Sequence, residues 1–145
     1  MQVRLLRPTD VQIAKQLLRQ LGYEVATDDV IGRIDRVLAA RNHYAAVVED
    51  REKVIGFVHV YERPALEKPC EGVVQALIVD GSFRKTGVGR ILMAAAEAWA
   101  RAKGLTCLVL HTRDDREDAR AFYEHLGYQK AATSHLMSKA LDRPI

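Results

Sequence analysis

Ala76-Leu77-Ile78-Val79-Asp80-Gly81-Ser82-Phe83-Arg84-Lys85-Thr86-Gly87-Val88-Gly89-Arg90 is the stretch on which the reading of this chain turns. It opens as the end of an apolar strand, Val73 to Val79, and runs through a polar loop into a helix. That helix places Val88, Leu92, Ala95 and Trp99 along one stripe. Where a strand feeds a helix through glycines, free backbone N–H groups and the positive end of the helix dipole face outward, which makes an anion site. Gly87 and Gly89 allow the backbone to approach a phosphate closely or to take a positive φ. Arg84, Lys85 and Arg90 surround the spot with charge, and a pyrophosphate is the natural occupant. The stretch is no P-loop, because no Gly-Lys-Ser/Thr follows Gly81 at the required spacing. It is no dinucleotide fingerprint either, because Leu92 stands where the third glycine belongs.

Outward from this loop, the periodicity alternates between strand and helix. On the amino-terminal side, Val3 to Leu6 reads as a short strand. Thr9 or Asp10 then caps a helix with Val11, Ala14, Leu17, Leu18 and Leu21 at helical spacing, closed by Gly22. Thr27-Asp28-Asp29 opens a second helix carrying Val30, Ile34, Val37 and Leu38. Tyr44 to Glu49 and Val54 to Tyr61 are two strands joined by the polar turn Asp50-Arg51-Glu52-Lys53. Arg63 to Glu71, with its two prolines, is a loop. On the carboxyl side, Lys103-Gly104 stops the glycine-loop helix. Thr106 to His111 is a strand, and Asp114 to Leu126 a helix with Ala119, Phe122 and Leu126 inward. Tyr128 to Leu141 can supply one or two further strands. The alternation predicts one mixed α/β domain over residues 1–145.

Composition fits that reading. The chain has 145 residues, 48% of them hydrophobic and 28% charged, which suits one globular domain and excludes a disordered chain. No apolar run approaches the roughly 20 residues a membrane helix needs, and Met1 to Asp10 has no signal-peptide pattern. The net charge of +3 suits an anionic partner without choosing between nucleic acid and a small phosphorylated ligand. The two cysteines, Cys70 and Cys107, form neither a disulfide framework nor a zinc motif, so a reducing cytoplasm is the default. Alternation places Cys107 in the interior, and spacing makes Trp99 a core aromatic.

The sequence resembles the GNAT superfamily of N-acetyltransferases. The family's pyrophosphate motif, Gln/Arg-x-x-Gly-x-Gly/Ala after an apolar strand, is matched by Arg84-Lys85-Thr86-Gly87-Val88-Gly89. A second family element, a helix bearing Ala, then Phe-Tyr-Glu, then Gly-Tyr, is matched by Ala119, Phe122-Tyr123-Glu124 and Gly127-Tyr128. The two occur in the family order, with a helix and a strand between them. The resemblance implies a GNAT-like α/β fold, β-α-α-β-β-β-α-β-α-β(-β), whose central splayed mixed sheet is flanked by helices. It implies a single N-acetyltransferase domain that uses acetyl-coenzyme A and no metal, and transfers the acetyl group to a primary amine by direct attack.

In such folds the pantetheine arm lies along a strand edge, here Leu77, Ile78 and Val79, held by backbone N–H and C=O groups. The amides from Arg84 through Lys85, Thr86, Gly87, Val88 and Gly89 to Arg90 would hold the pyrophosphate. Tyr123 matches the position that protonates the departing thiolate, a task suited to a phenol that keeps its proton at neutral pH. The general base is less legible. Val73 stands at one common carboxylate position, and Glu71, two residues earlier, is the nearest acid; His111, His59 or water are the alternatives. Arg116 stands where the family often has Asn, and it either reaches a phosphate or belongs to a solvated helix start.

The acceptor pocket would draw on residues 22–42 and 61–71, with Tyr23, Glu24, Asp28, Asp29, Tyr44 and Tyr61 as candidate contacts. Likeness of the carboxyl half to aminoalkylphosphonate and aminoglycoside acetyltransferases implies a small-molecule amine as partner, though a peptide amine stays open. No nucleic acid and no membrane is expected, and a homodimer is expected only by family analogy. The rival reading is a non-catalytic acyl-coenzyme A binding or regulatory module on the same fold.

Overall fold

The computed structural model describes residues 1–142. The described residues fall into two compact units, Met1–His111 and those from Thr112 onward. The first unit holds a five-stranded sheet in the order β1-β2-β3-β4-β5: Gln2–Leu5, His43–Asp50, Lys53–Arg63, Glu71–Val79 and Leu108–Leu110. The first three pairings are antiparallel and β4–β5 is parallel, so this is the expected mixed sheet. Helices α1 (Val11–Gln20), α2 (Thr27–Ala39) and α3 (Val88–Ala102) complete the unit.

The faces of the sheet follow from alternation. Ala45, Val47 and Ile78 join Leu17 of α1 and Val30 and Ile34 of α2 in one buried cluster. On the opposite face α3 packs closely over β3: a Cβ built on Gly56 would lie 2.8 Å from Val88 Cγ1 and 2.9 Å from Leu92 Cδ1. The buried stripe of α3 is Val88, Leu92, Met93, Ala96 and Ala100. The expected Ala95 and Trp99 therefore sit at its margin, one position round the helix. Trp99 is half-buried and stacks on Tyr44, with ring centroids 6.0 Å apart.

The β2–β3 turn closes where the sequence places it. Arg51 and Glu52 take φ of 51° and 66°, both left-handed, which is the geometry a two-residue hairpin needs to match strand twist. Beyond the turn, the register slips between Val48 and Glu49, leaving Ile55 as an extra residue on β3.

An ion cluster ties β1 to the start of α1. Asp10 accepts from Arg4 Nη1 and Nη2, each at 3.0 Å, and from the Arg7 N–H at 2.8 Å. Arg4 also pairs with Glu49. Burial alone would push the Asp10 carboxyl up, but the hydrogen bonds from Arg4 and Arg7 outweigh it and hold the group below its ordinary value. A depressed carboxyl contributes stability above the ordinary aspartate pKa and loses it as pH falls through the lower folded value. Unfolding by urea should therefore become easier below about pH 4. Asp10→Asn should flatten that pH slope and lower stability at neutral pH by about 2 kcal/mol; an unchanged slope would remove Asp10 from the acid response.

Three expectations need correction. Strand β5 is shorter than Thr106 to His111, and Cys107 precedes its ladder and is exposed rather than interior. In the second unit, α4 spans Glu117–His125, since Arg113 to Asp115 form a turn before it. Residues 128–142 contain no strand. Their Gln129-Lys130-Ala131-Ala132 segment has neither β-branched nor aromatic side chains to favour one. Among the described residues no helix is long and apolar enough to cross a membrane.

Candidate functional site

The site begins with a defect in β4. Its partner β3 steps directly from Val60 to His59, while β4 goes from Val74 through Gln75 to Ala76. Gln75 is the surplus residue, a β-bulge, and bulges bend and twist the strand that carries them. On the other side of β4, the ladder to β5 runs from Gly72↔Leu108 to Val74↔Leu110 and stops there. From Ala76 to Val79 the β4 backbone pairs only with β3. Because β5 itself ends at Leu110, Leu77, Ile78 and Val79 lie on a strand edge that has no ladder partner on that side.

The edge leads straight into the glycine loop. Asp80 is buried; its side chain accepts from Ser82 N–H at 2.9 Å and its own N–H donates to Ile55 O at 2.8 Å. A 3-10 turn at Gly81–Phe83 follows, and Gly81 N–H donates to Gln20 Oε1 at 2.7 Å, tying the loop to α1. The Thr86 hydroxyl donates to Phe83 O. Lys85 and Gly87 both take left-handed conformations, at φ of 62° and 93°. Gly87 is the N-cap of α3, so the first amides of the helix, on Val88, Gly89 and Arg90, have no carbonyl one turn earlier to accept them. Arg84, Lys85 and Arg90 are in no ion pair among the described residues, and all three are exposed. Free amides, a helix dipole and three unpaired cations give this loop the chemistry that suits an anion.

On the α1/α2 face lies a cavity of about 340 Å³. Ile13, Val37, Phe57 and Ile78 are among its apolar walls, and Asp10, Arg33, His59 and the bulged Gln75 are its polar ones. His59 meets a second imidazole: its Nε2 lies 2.9 Å from His43 Nδ1, and the His43 ring stacks on Tyr61 at 5.0 Å. Burial and the neighbouring His43 push the His59 imidazole down to about 4, so it is neutral at pH 7. The strand sequences alone mislead here. Counting pairs out from the hairpin turn would set His43 opposite Val60; the extra residue Ile55 sets it opposite Tyr61 instead.

Glu71 stands at the first position of β4, on the same face as Val73, since the bulge comes later. It is bound to Arg63 and Lys68, each at 2.9 Å. Those hydrogen bonds, Lys68's first, hold its carboxyl below the usual range and make it a weaker base than a free glutamate. His111 is exposed just past β5. None of Tyr23, Glu24, Asp28, Asp29, Tyr44 and Tyr61 lines the cavity; Tyr44 lies on the α3 face against Trp99, and Glu24 pairs with Arg19 at 3.1 Å.

In the second unit, Tyr123 lies on α4, half-buried, with Phe122 and Tyr128 edge-on at 5.1 and 5.9 Å. Burial raises its phenol above the ordinary value, against a smaller opposing pull from Arg116. Arg116 is the N-cap of α4 and pairs with Asp118 at 3.5 Å.

This arrangement agrees with what comparison with known proteins finds. The model of the acetyltransferase (GNAT) family matches residues 12–128, and the chain belongs to that family. N-alpha-acetyltransferase 80 of Mus musculus is 42% identical over 64 residues, which are 44% of this chain and only 19% of the mouse protein. An uncharacterized N-acetyltransferase of Bacillus subtilis, YhfO, is 28% identical over 90% of this chain and 91% of its own length. Among solved structures, AAC(6')-Iy in complex with a bisubstrate analogue, CoA-S-monomethyl-acetylneamine, aligns over 97% of this chain and 98% of its own, with a TM-score of 0.85 and 19% identity. At that identity the likeness is one of fold.

Proposed function

We propose that this chain, acting as a single N-acetyltransferase domain over residues 1–145, transfers the acetyl group of acetyl-coenzyme A to a primary amine. The acceptor is a small molecule or a peptide amine, and the attack is direct, in a ternary complex. The observation that carries this is the continuity of the free β4 edge, from Gln75 to Val79, with the left-handed Gly87 turn and the start of α3. A pantetheine arm is a chain of amides that needs a strand edge, and a pyrophosphate needs converging N–H donors. Here one follows the other along the chain.

Each residue then has a task. Leu77, Ile78 and Val79 offer backbone N–H and C=O groups to the pantetheine, and a β4 N–H near the bulge polarises the thioester carbonyl. The loop from Arg84 to Arg90, through Lys85, Thr86, Gly87, Val88 and Gly89, holds the pyrophosphate, and Arg116 adds charge from its place before α4. The acceptor nitrogen attacks the carbonyl carbon, the carbon–sulfur bond breaks, and Tyr123 gives its phenolic proton to the departing sulfur. The amine sheds its own proton to solvent. Glu71, already neutralised by Arg63 and Lys68, anchors the start of β4 in this reading instead of accepting that proton. Positioning two reactants in line supplies much of the rate gain.

A second reading, a non-catalytic acyl-coenzyme A module, is favoured by one observation: the β4 acid is ion-paired and Val73 carries no charge. Calorimetric titration with acetyl-coenzyme A and detection of free thiol across an amine panel separate the two. Binding with thiol release is expected. Binding without thiol release from any amine would favour the module, and no binding would end both.

A further inference from the structure

The cavity between α1, α2 and the sheet has a chemistry that narrows the acceptor. Its volume, about 340 Å³, is at the small end of ligand sites. Its walls are mostly hydrocarbon. The one carboxylate among them, Asp10, is spent: both its oxygens are taken by Arg4, and one also by the Arg7 N–H. The remaining charge on the lining is Arg33, which is exposed and meets no carboxylate among the described residues. His59 is neutral at pH 7 and does not repel an amine. Gln75 belongs both to the cavity wall and to the bulge at which the β4–β5 ladder has just ended. The cavity thus adjoins the place where the thioester would lie. A second ammonium group inside it would be buried against hydrocarbon without a partner, or would face Arg33.

We infer that the acceptor is a primary amine borne on an apolar body without a second positive charge, and that this body occupies the α1/α2 cavity while the amine points to Gln75. This rests on the acetyl-transfer reading above.

The test is calorimetric titration of the full chain saturated with coenzyme A, using 2-phenylethylamine and the polycationic neamine as probes. Phenylethylamine should bind at least about tenfold more tightly. Ala14→Leu, which narrows the cavity, should weaken phenylethylamine about tenfold and leave coenzyme A affinity unchanged. Arg33→Glu, at an exposed position, should reduce the bias against neamine at least about threefold. Tighter binding of neamine, no binding of phenylethylamine to a chain that does bind coenzyme A, or indifference to both substitutions would overturn the inference while sparing acetyl transfer. Failure to bind coenzyme A at all would overturn both, and is seen before any amine is added.

Discussion

Gly87→Val should cost the chain most of its affinity for acetyl-coenzyme A while leaving it folded. Gly87 sits at φ 93° and ψ 1°, and a Cβ placed there would meet nothing within 4 Å. Crowding is therefore not the difficulty; the backbone is. A β-branched residue at that φ costs about 1–3 kcal/mol of local strain. The cheapest relief is for the loop to leave the left-handed turn. That swings the amides of Val88, Gly89 and Arg90 off their common focus and separates Arg84 and Lys85 from it. A fall of at least about tenfold in affinity by titration is expected, corresponding to about 1.4 kcal/mol. Gly87→Ala should show the same effect in weaker form. Lys85→Gly is the useful contrast, because Lys85 already bears a positive φ of 62°. It should relax the backbone and weaken binding only through the lost charge. Unchanged affinity in Gly87→Val would detach the turn from coenzyme binding.

The second large effect is expected at Tyr123. Tyr123→Phe removes one oxygen and keeps the ring that packs edge-on to Phe122 and Tyr128. Turnover should fall by about a hundredfold, the lower range for loss of a positioned acid, while coenzyme affinity stays within about threefold. The pH profile gives an independent reading. Burial raises the Tyr123 phenol above 10, so the acid form persists through the alkaline range. An acid is lost as pH rises through its pKa; turnover that depends on Tyr123 should hold until beyond about pH 10. Equal turnover in the phenylalanine variant would exclude the phenol from the chemistry.

Residue patterns carried the framework well wherever one physical signal dominated. The glycine loop reads correctly because strand, turn and helix signals meet within a few residues, and the Asp50–Lys53 turn because polar residues separate two apolar runs. The misreadings come from long-range causes. Alternation at Cys107 is genuine, yet β5 starts only at Leu108, since pairing with β4 decides where a ladder begins. The α3 stripe was off by one position because β3 and its Gly56 determine which side of the helix is covered. The ion-pair partners of Glu71, Arg63 and Lys68, come from a strand and a loop whose approach no local pattern announces. The bulges at Ile55 and Gln75 leave no mark in composition, and the His43–His59 contact depends on the first of them.

Gln75 also bears on how such a site can arise. Gln75 gives β4 one residue more than β3 across their ladder, immediately after the ladder to β5 has ended. Insertion or loss of a single codon at this position thus adds or removes the bulge itself. The rest of the sheet need not change register with it, because a bulge absorbs the extra residue where it stands. A residue that borders the α1/α2 cavity can therefore be gained without disturbing the strand pairing on either side of it.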